Sequence, residues 1–166
     1  MSDSEDGATA ASQHLVVDRE ILLEIEPPPD LDLRRLEELI HFALTAEQAT
    51  GTWTVTVLLT DDGRLRQLHH DFMGIDAATD VMTFPFGDEA NDDDASRGGE
   101  IVISVQRAGE QATDFGLTPS DEVRFLVLHG TLHLCGWDDR STDDHSAMLS
   151  RQTELLRAFD SERGSG

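Results

Sequence analysis

Residues 125–139 read FLVLHGTLHLCGWDD and place two histidines inside the most apolar helical stretch of the chain. Four residues of an α-helix turn through about 400°, so His129 and His133 lie about 40° apart on one face, one turn from each other. Both imidazoles can therefore reach one metal ion. Gly136 can adopt the left-handed backbone conformation that ends a helix, and the chain can then turn back over that face. The stretch predicts a buried helix that ends at a metal site.

A third ligand is expected from the residues that follow the helix. Asp138 and Asp139 both bring a carboxylate to the turn, and His145 offers an imidazole from the next helix; the spacing favours Asp139 without excluding the other two. Cys135 lies about 200° from His133 around the helix, which is typical of core packing. Two imidazoles and a carboxylate suit Zn²⁺ and leave a fourth position open, as in catalytic zinc sites. If no metal binds, the two histidines are neutral core residues satisfied by hydrogen bonds.

The residue after the first histidine is Gly130. Zinc proteases with a helical HxxxH pattern carry a glutamate there, and it serves as the general base for the attacking water. Because glycine offers no base, the sequence argues against peptide hydrolysis. A protease-like metallohydrolase of a non-RNA substrate stays an alternative.

Composition limits the classes of partner. The chain has 166 residues and a formal net charge of -22, which repels nucleic acid phosphates and anionic membranes unless a local patch reverses the sign. Generic electrostatic binding of RNA is therefore excluded, and no DNA or membrane partner is expected. The single cysteine and the absence of a signal-peptide pattern predict a cytoplasmic protein.

One domain is predicted, over residues 14–160, between a disordered acidic tail (1–13) and a flexible carboxyl-terminal tail (161–166). Hydrophobic periodicity and turn residues predict strands at 21–25, 53–60, 79–84 and 99–105, and helices at 31–48, 64–72, 106–115, 119–135 and 141–159. Asp30 is the expected cap of the first helix, and the acidic segment 87–99 is expected to be a solvated loop. The fold class is α+β, a mixed α/β sandwich in which about five helices pack on a short mixed sheet.

Three segments resemble the YbeY family, metal-dependent single-strand endoribonucleases that mature ribosomal RNA in bacteria. Residues 129–139 resemble that family's signature HGxLHLxGYDH, and residues 68–85 (LHHDFMGIDAATDVMTFP) resemble LNxxYRxxDxxTDVLSFP. Residues 99–104 (GEIVIS) are similar to GDIxIS. The likeness extends from about residue 14 to residue 160 and implies the family's short mixed sheet, with the motif helix at the floor of a cleft.

The chain departs from this pattern at two positions. Asp139 stands where the family has its third metal histidine, and Met73 stands where it has an arginine expected to contact RNA phosphate. His69, at the family's asparagine position, is a candidate RNA contact. Arg64 and Arg66, earlier on the same helix, are weaker candidates because they are also typical of a solvated helix face.

The resemblance implies a zinc-dependent endoribonuclease in which His129, His133 and Asp139 hold one Zn²⁺ and carry the catalysis. The substrate would be single-stranded RNA, in particular ribosomal RNA, and the partner the small ribosomal subunit. Because of the negative net charge and the methionine at the family's arginine position, a non-catalytic ribosome-assembly factor with a structural metal stays an alternative.

Overall fold

The computed structural model describes residues 14–74, 79–86 and 97–165. In chain order the elements are β1 Leu15–Leu23, α1 Leu33–Ala46, β2 Gly51–Thr60, α2 Asp62–Met73, β3 Val81–Pro85, β4 Arg97–Ser104, α3 Val105–Asp114, α4 Pro119–Leu134 and α5 Thr142–Ser165. The predicted tail 1–13 and residues 87–96 of the predicted acidic loop lie outside the described residues.

The four strands form one mixed sheet in the order β1-β2-β4-β3. β1 and β4 both run parallel to β2, whereas β3 is antiparallel to β4 and forms an edge of the sheet. The α+β fold class and the short mixed sheet are confirmed. None of the helices in the described ranges combines the length and apolar character that crossing a bilayer requires.

The helix α4 begins as its sequence predicts. The side chain of Thr118 accepts a hydrogen bond from the backbone N–H of Asp121, and Pro119 occupies the first turn, where its missing N–H costs nothing. The main core joins α4 to the sheet and to α1; its largest fully buried members include Leu36, Leu39, Ile40, Leu44, Leu59, Ile101, Ile103, Leu128 and Leu132. On the other face of the sheet, Leu65 of α2 packs with Met82 and Val102.

Three predicted boundaries are wrong. β1 starts at Leu15 rather than at Ile21, because alternate side chains of this strand are exposed and the strand therefore tolerates Asp18 and Glu20 there. The cap of α1 is Asp32, not Asp30, whose carboxylate instead accepts a hydrogen bond from the Ser120 hydroxyl at the start of α4. The backbone of α5 stays helical to Ser165, beyond its predicted end at residue 159.

Candidate metal centre and its two clefts

Three side chains converge where α4 ends. The Nε2 atoms of His129 and His133 lie 3.1 Å apart, and Oδ2 of Asp139 lies 3.4 Å from the first and 3.6 Å from the second. All three side chains are partly buried. The structure thus brings together the three residues that the sequence predicts as ligands, in a group able to hold a metal ion.

The hydrogen bonds of the two imidazoles decide which ring nitrogens carry protons. Nδ1 of His133 lies 3.0 Å from the backbone carbonyl of Trp137, which can only accept. Nδ1 of His129 lies 3.0 Å from Oε1 of Gln152, whose amide is oriented because its Nε2 donates to the carbonyl of Phe125. Both Nδ1 atoms therefore donate, so each ring, when neutral, presents the lone pair of its Nε2 atom.

Two facing lone pairs beside a carboxylate oxygen repel one another unless a cation lies between them. Burial, the largest cause, lowers the pKa of His129, so its ring does not readily supply that cation by taking up a proton. Ligand atoms in tetrahedral zinc sites lie about 3.3 Å apart, given metal–ligand distances of roughly 2.0 to 2.1 Å. The spacings at this site match that value, so the residues present fit a zinc-type ion.

The turn after α4 brings Asp139 to the histidines. Gly136 adopts a φ of 102°, its N–H bonds to the carbonyl of His133, and the N–H of Trp137 bonds to the carbonyl of Leu132. This is the Schellman arrangement that glycine permits at a helix end, as the sequence predicts. Asp138 points elsewhere, because its carboxylate accepts a hydrogen bond from the backbone N–H of Arg140.

His145 lies at the margin of the group. Its Nδ1 is 4.0 Å from Oδ2 of Asp139, and its side chain is 53% exposed. Cys135 is not part of the group; burial, followed by the negative charge of Glu47, raises the pKa of its thiol to about 12.

A second layer of contacts holds the turn in place through Trp137. Its backbone carbonyl accepts from His133, and its indole N–H donates to Oε1 of Glu47 over 2.7 Å. The other oxygen of Glu47 accepts from Nε of Arg151 on α5, also over 2.7 Å. Trp137 therefore connects His133 of the metal site to Glu47, at the end of α1, and through Glu47 to α5.

Trp137→Ala should weaken metal affinity by about 10-fold or more, as expected when a group that orients a ligand is removed. Trp137→Phe, which keeps a ring but loses the bond to Glu47, should fall between wild type and Ala. The measurement is a competition titration with a coloured chelator. Trp53→Phe serves as control, because its indole bonds to the carbonyl of Thr50, away from the site. If a folded Trp137→Ala variant binds the metal as tightly as wild type does, the ring only packs at the helix end and does not orient the ligands.

Sequence reasoning missed Gln152. The residue is 1% exposed and lies in the apolar stripe of α5, with Met148 one turn before it and Leu155 and Phe159 after it. A polar residue at a core position of a helical stripe must be hydrogen-bonded, and that pattern is the signal that could have found it. Its partner, His129, could be identified only from the tertiary structure.

Two clefts meet at the histidine pair. The β3 cleft, of about 550 Å³, lies between α2 and β3; it is lined by His69, Phe72, Met73 and residues of β3, and it reaches both histidines. The α5 cleft, of about 750 Å³, lies between α4 and α5 and reaches His129 and Asp139. His129 lines both clefts.

The α5 cleft also holds a perturbed carboxyl group. Glu122 lies two turns before His129 on α4 and is 7% exposed. Burial, followed by the negative charge of Asp80, raises the pKa of Glu122 to about 7.

The three residues predicted to contact RNA lie in different places. His69 lines the β3 cleft beside the histidine pair. Arg64 lies 3.8 Å from Glu24 and lines an adjoining cavity, which shares Phe72 and Phe84 with the β3 cleft but does not reach the histidines. Arg66 lines neither of the clefts that reach the histidines. The structure therefore brings His69, but neither arginine, to the metal centre.

Gly130 packs directly against the sheet. A Cβ atom at this position would lie 2.6 Å from Cγ2 of Ile101, a fully buried residue of β4. The position at which zinc proteases carry their base therefore faces the core and has no room for any side chain.

Comparisons with known proteins agree with this geometry. Residues 29–160 match the family model described as Endoribonuclease YbeY. The chain is 38% identical over 153 residues to the Endoribonuclease YbeY of Roseiflexus sp. (strain RS-1), covering 86% of this chain and 94% of that protein. It is 32% identical over 152 residues to that of Enterococcus faecalis (strain ATCC 700802 / V583), covering 84% and 96%. The solution structure of a Thermotoga maritima protein superposes with a TM-score of 0.61 at 28% identity, covering 90% of this chain and 93% of that one. By the extent of these matches, and with its histidine pair and turn in place, the chain belongs to the Endoribonuclease YbeY family.

Proposed function

We propose that this protein is a zinc-dependent endoribonuclease that cleaves single-stranded RNA during ribosomal RNA maturation and ribosome assembly. Membership of the Endoribonuclease YbeY family supports hydrolysis of RNA. The observation that carries the metal dependence is the convergence of two imidazole lone pairs and one carboxylate oxygen on a point open to two clefts.

His129, His133 and Asp139 would hold one Zn²⁺. When bound, the ion supplies positive charge that polarises a phosphodiester oxygen and makes a water molecule more acidic. Asp139 adds a negative charge that a neutral histidine would not, so the site carries less net positive charge and its water should be less acidic. Activity at neutral pH should be correspondingly weaker.

The chain's own residues orient the imidazoles of this site. Gln152 and the carbonyl of Trp137 fix both imidazoles with Nε2 facing inward. Gly130 offers no carboxylate, which disfavours the protease-like alternative. His69 is the cleft residue proposed to contact RNA, and Arg64 and Arg66 keep that role only as weaker proposals.

The proposal extends to partners and location. Ribosomal RNA within the small ribosomal subunit is the proposed substrate, and the cytoplasm is the proposed location. The free Cys135 is compatible with a reducing compartment.

A chelator should abolish cleavage. Removing the metal should slow cleavage of an RNA with an exposed single-stranded segment at least about 100-fold, since metal catalysis supplies several kcal/mol of transition-state stabilisation. Added Zn²⁺ should restore the rate, and His133→Ala should stay inactive with or without the metal. The rates are measured at modest salt by gel electrophoresis of end-labelled RNA.

The outcomes separate the candidate functions. Cleavage that persists in chelator and in His133→Ala would contradict the metal mechanism. Metal-dependent RNA binding without cleavage would favour the assembly-factor alternative.

A further inference from the structure

The two clefts at the metal centre differ sharply in charge. Four acidic residues line the α5 cleft, namely Asp80, Glu122, Asp139 and Asp160, against one arginine, Arg157. Among the described residues that line the β3 cleft, none is acidic. In a chain of net charge -22, a polyanion approaching the histidine pair meets less repulsion from the described β3 cleft than from the α5 cleft.

The β3 cleft attracts phosphate weakly as well. His69, His129 and His133 are its only basic-type residues within the described ranges, and two of them belong to the proposed metal site. Apart from the contact of the proposed metal ion with the scissile phosphate, binding energy for a nucleic acid in this cleft would therefore come largely from contacts to bases rather than to phosphates.

Phe72 presents the surface for such a contact. Its side chain is 68% exposed, although it lines the same cleft as both histidines. The ring is held at an angle of 67° to Phe84, with 5.3 Å between the ring centres. The neighbouring Met73, 61% exposed, extends the apolar surface. An exposed aromatic ring held in place by a strand residue is a ready surface for stacking.

We propose that Phe72 is a base-stacking residue, which holds an unpaired RNA base in the β3 cleft and so presents the adjoining phosphodiester to the histidine pair. This inference rests on the proposed function and adds the direction from which the substrate enters. A cleft of about 550 Å³ has the size of a small-molecule site and not of a double helix. Bases in a duplex already stack on one another, so a stacking residue selects single strands.

The test measures RNA binding without cleavage. The probe is a short single-stranded oligoribonucleotide with 2′-O-methyl groups, and its fluorescence anisotropy is followed at several salt concentrations with the full chain. Phe72→Ala should weaken binding about 10-fold, the usual effect of removing one stacked aromatic residue. Phe72→Trp should retain the affinity, and Phe72→Leu should behave like Ala, because leucine is apolar but cannot stack.

Phe115→Ala is the matched control. Phe115 is 74% exposed but lines the α5 cleft, so its removal should leave RNA affinity unchanged. The slope of affinity against salt should be the same in wild type and Phe72→Ala, because a stacking contact releases no counterions. An abasic spacer in the oligonucleotide should lower the affinity of wild type and make it equal to that of Phe72→Ala.

The outcomes are distinct for the two proposals. If wild type cleaves RNA in a metal-dependent way but Phe72→Ala binds equally well, the stacking role is wrong and the proposed function stands. An equal loss in Phe115→Ala would also overturn the stacking role. If wild type neither binds nor cleaves single-stranded RNA, both proposals fail together.

Discussion

Asp139→Ala should lose most of its bound zinc while the fold persists. Removing a group that only orients a ligand costs about 10- to 100-fold in metal affinity, so removing one of three ligands should cost more than about 100-fold. The remaining pair of imidazoles, 3.1 Å apart, offers two ligands and no negative charge. The measurement is metal analysis of protein purified without added zinc, together with a competition titration. The thermal unfolding midpoint of the metal-free variant should match that of metal-free wild type.

Two further variants test whether Asp139 is the third metal ligand and what its negative charge does. His145→Ala should retain the metal, because the imidazole is half exposed and 4.0 Å from the nearest oxygen of Asp139. Asp139→His should retain the metal and shift activity to lower pH, since a neutral ligand leaves more positive charge at the site and a more acidic water. If Asp139→Ala keeps its full metal content and His145→Ala loses its metal, the third ligand is His145 of α5 and not Asp139.

Glu122→Gln should stabilise the metal-free protein increasingly as pH rises from about 4.5 to about 7. Below pH 4.5 the carboxyl group is protonated in both the folded and the unfolded chain. Between pH 4.5 and 7 the unfolded chain releases the proton while the folded chain keeps it, because the folded pKa is raised to about 7. The free energy of unfolding of wild type therefore falls over this window, by roughly 3 kcal/mol for a shift of this size. Glutamine cannot ionise and avoids that loss.

The comparison is made by urea unfolding of both proteins in chelator at pH 4.5 and pH 8. Other groups in the α5 cleft, including Asp80, Asp160, Arg157 and His145, are present in both proteins, so their own titration largely cancels. Glu100→Gln, at an exposed position on β4, controls for the loss of one negative charge from a strongly acidic chain. A stability difference between Glu122→Gln and wild type that stays constant with pH would contradict the raised pKa.

The parts of the site that sequence could predict are those set by local geometry. The spacing of His129 and His133 places them on one helix face in any α-helix, and Gly136 can end that helix because a glycine needs no neighbour to adopt a positive φ. Three residues then suffice to bring Asp139 back to the histidines. The same reasoning predicted the start of α4 at residue 119 correctly.

The parts that sequence could not predict depend on elements far apart in the chain. Gln152 reaches His129, and Glu47 reaches Trp137, only after α1 and α5 have packed against α4. The raised pKa of Glu122 likewise depends on burial in the folded protein and, after that, on the negative charge of Asp80 from the segment before β3. The approach of Arg64 to Glu24 is also a property of the folded chain that the local sequence does not reveal.

The contact of Gly130 with Ile101 restricts how this enzyme could change its chemistry in evolution. A glutamate at position 130, the single substitution that would produce a protease-like HExxH sequence, would collide with the side chain of Ile101 on β4 and destabilise the protein. Shortening Ile101 first would leave a cavity under a helix that carries the metal site. A protease-like HExxH sequence in this fold would therefore need a compensating change in β4 in addition to Gly130→Glu.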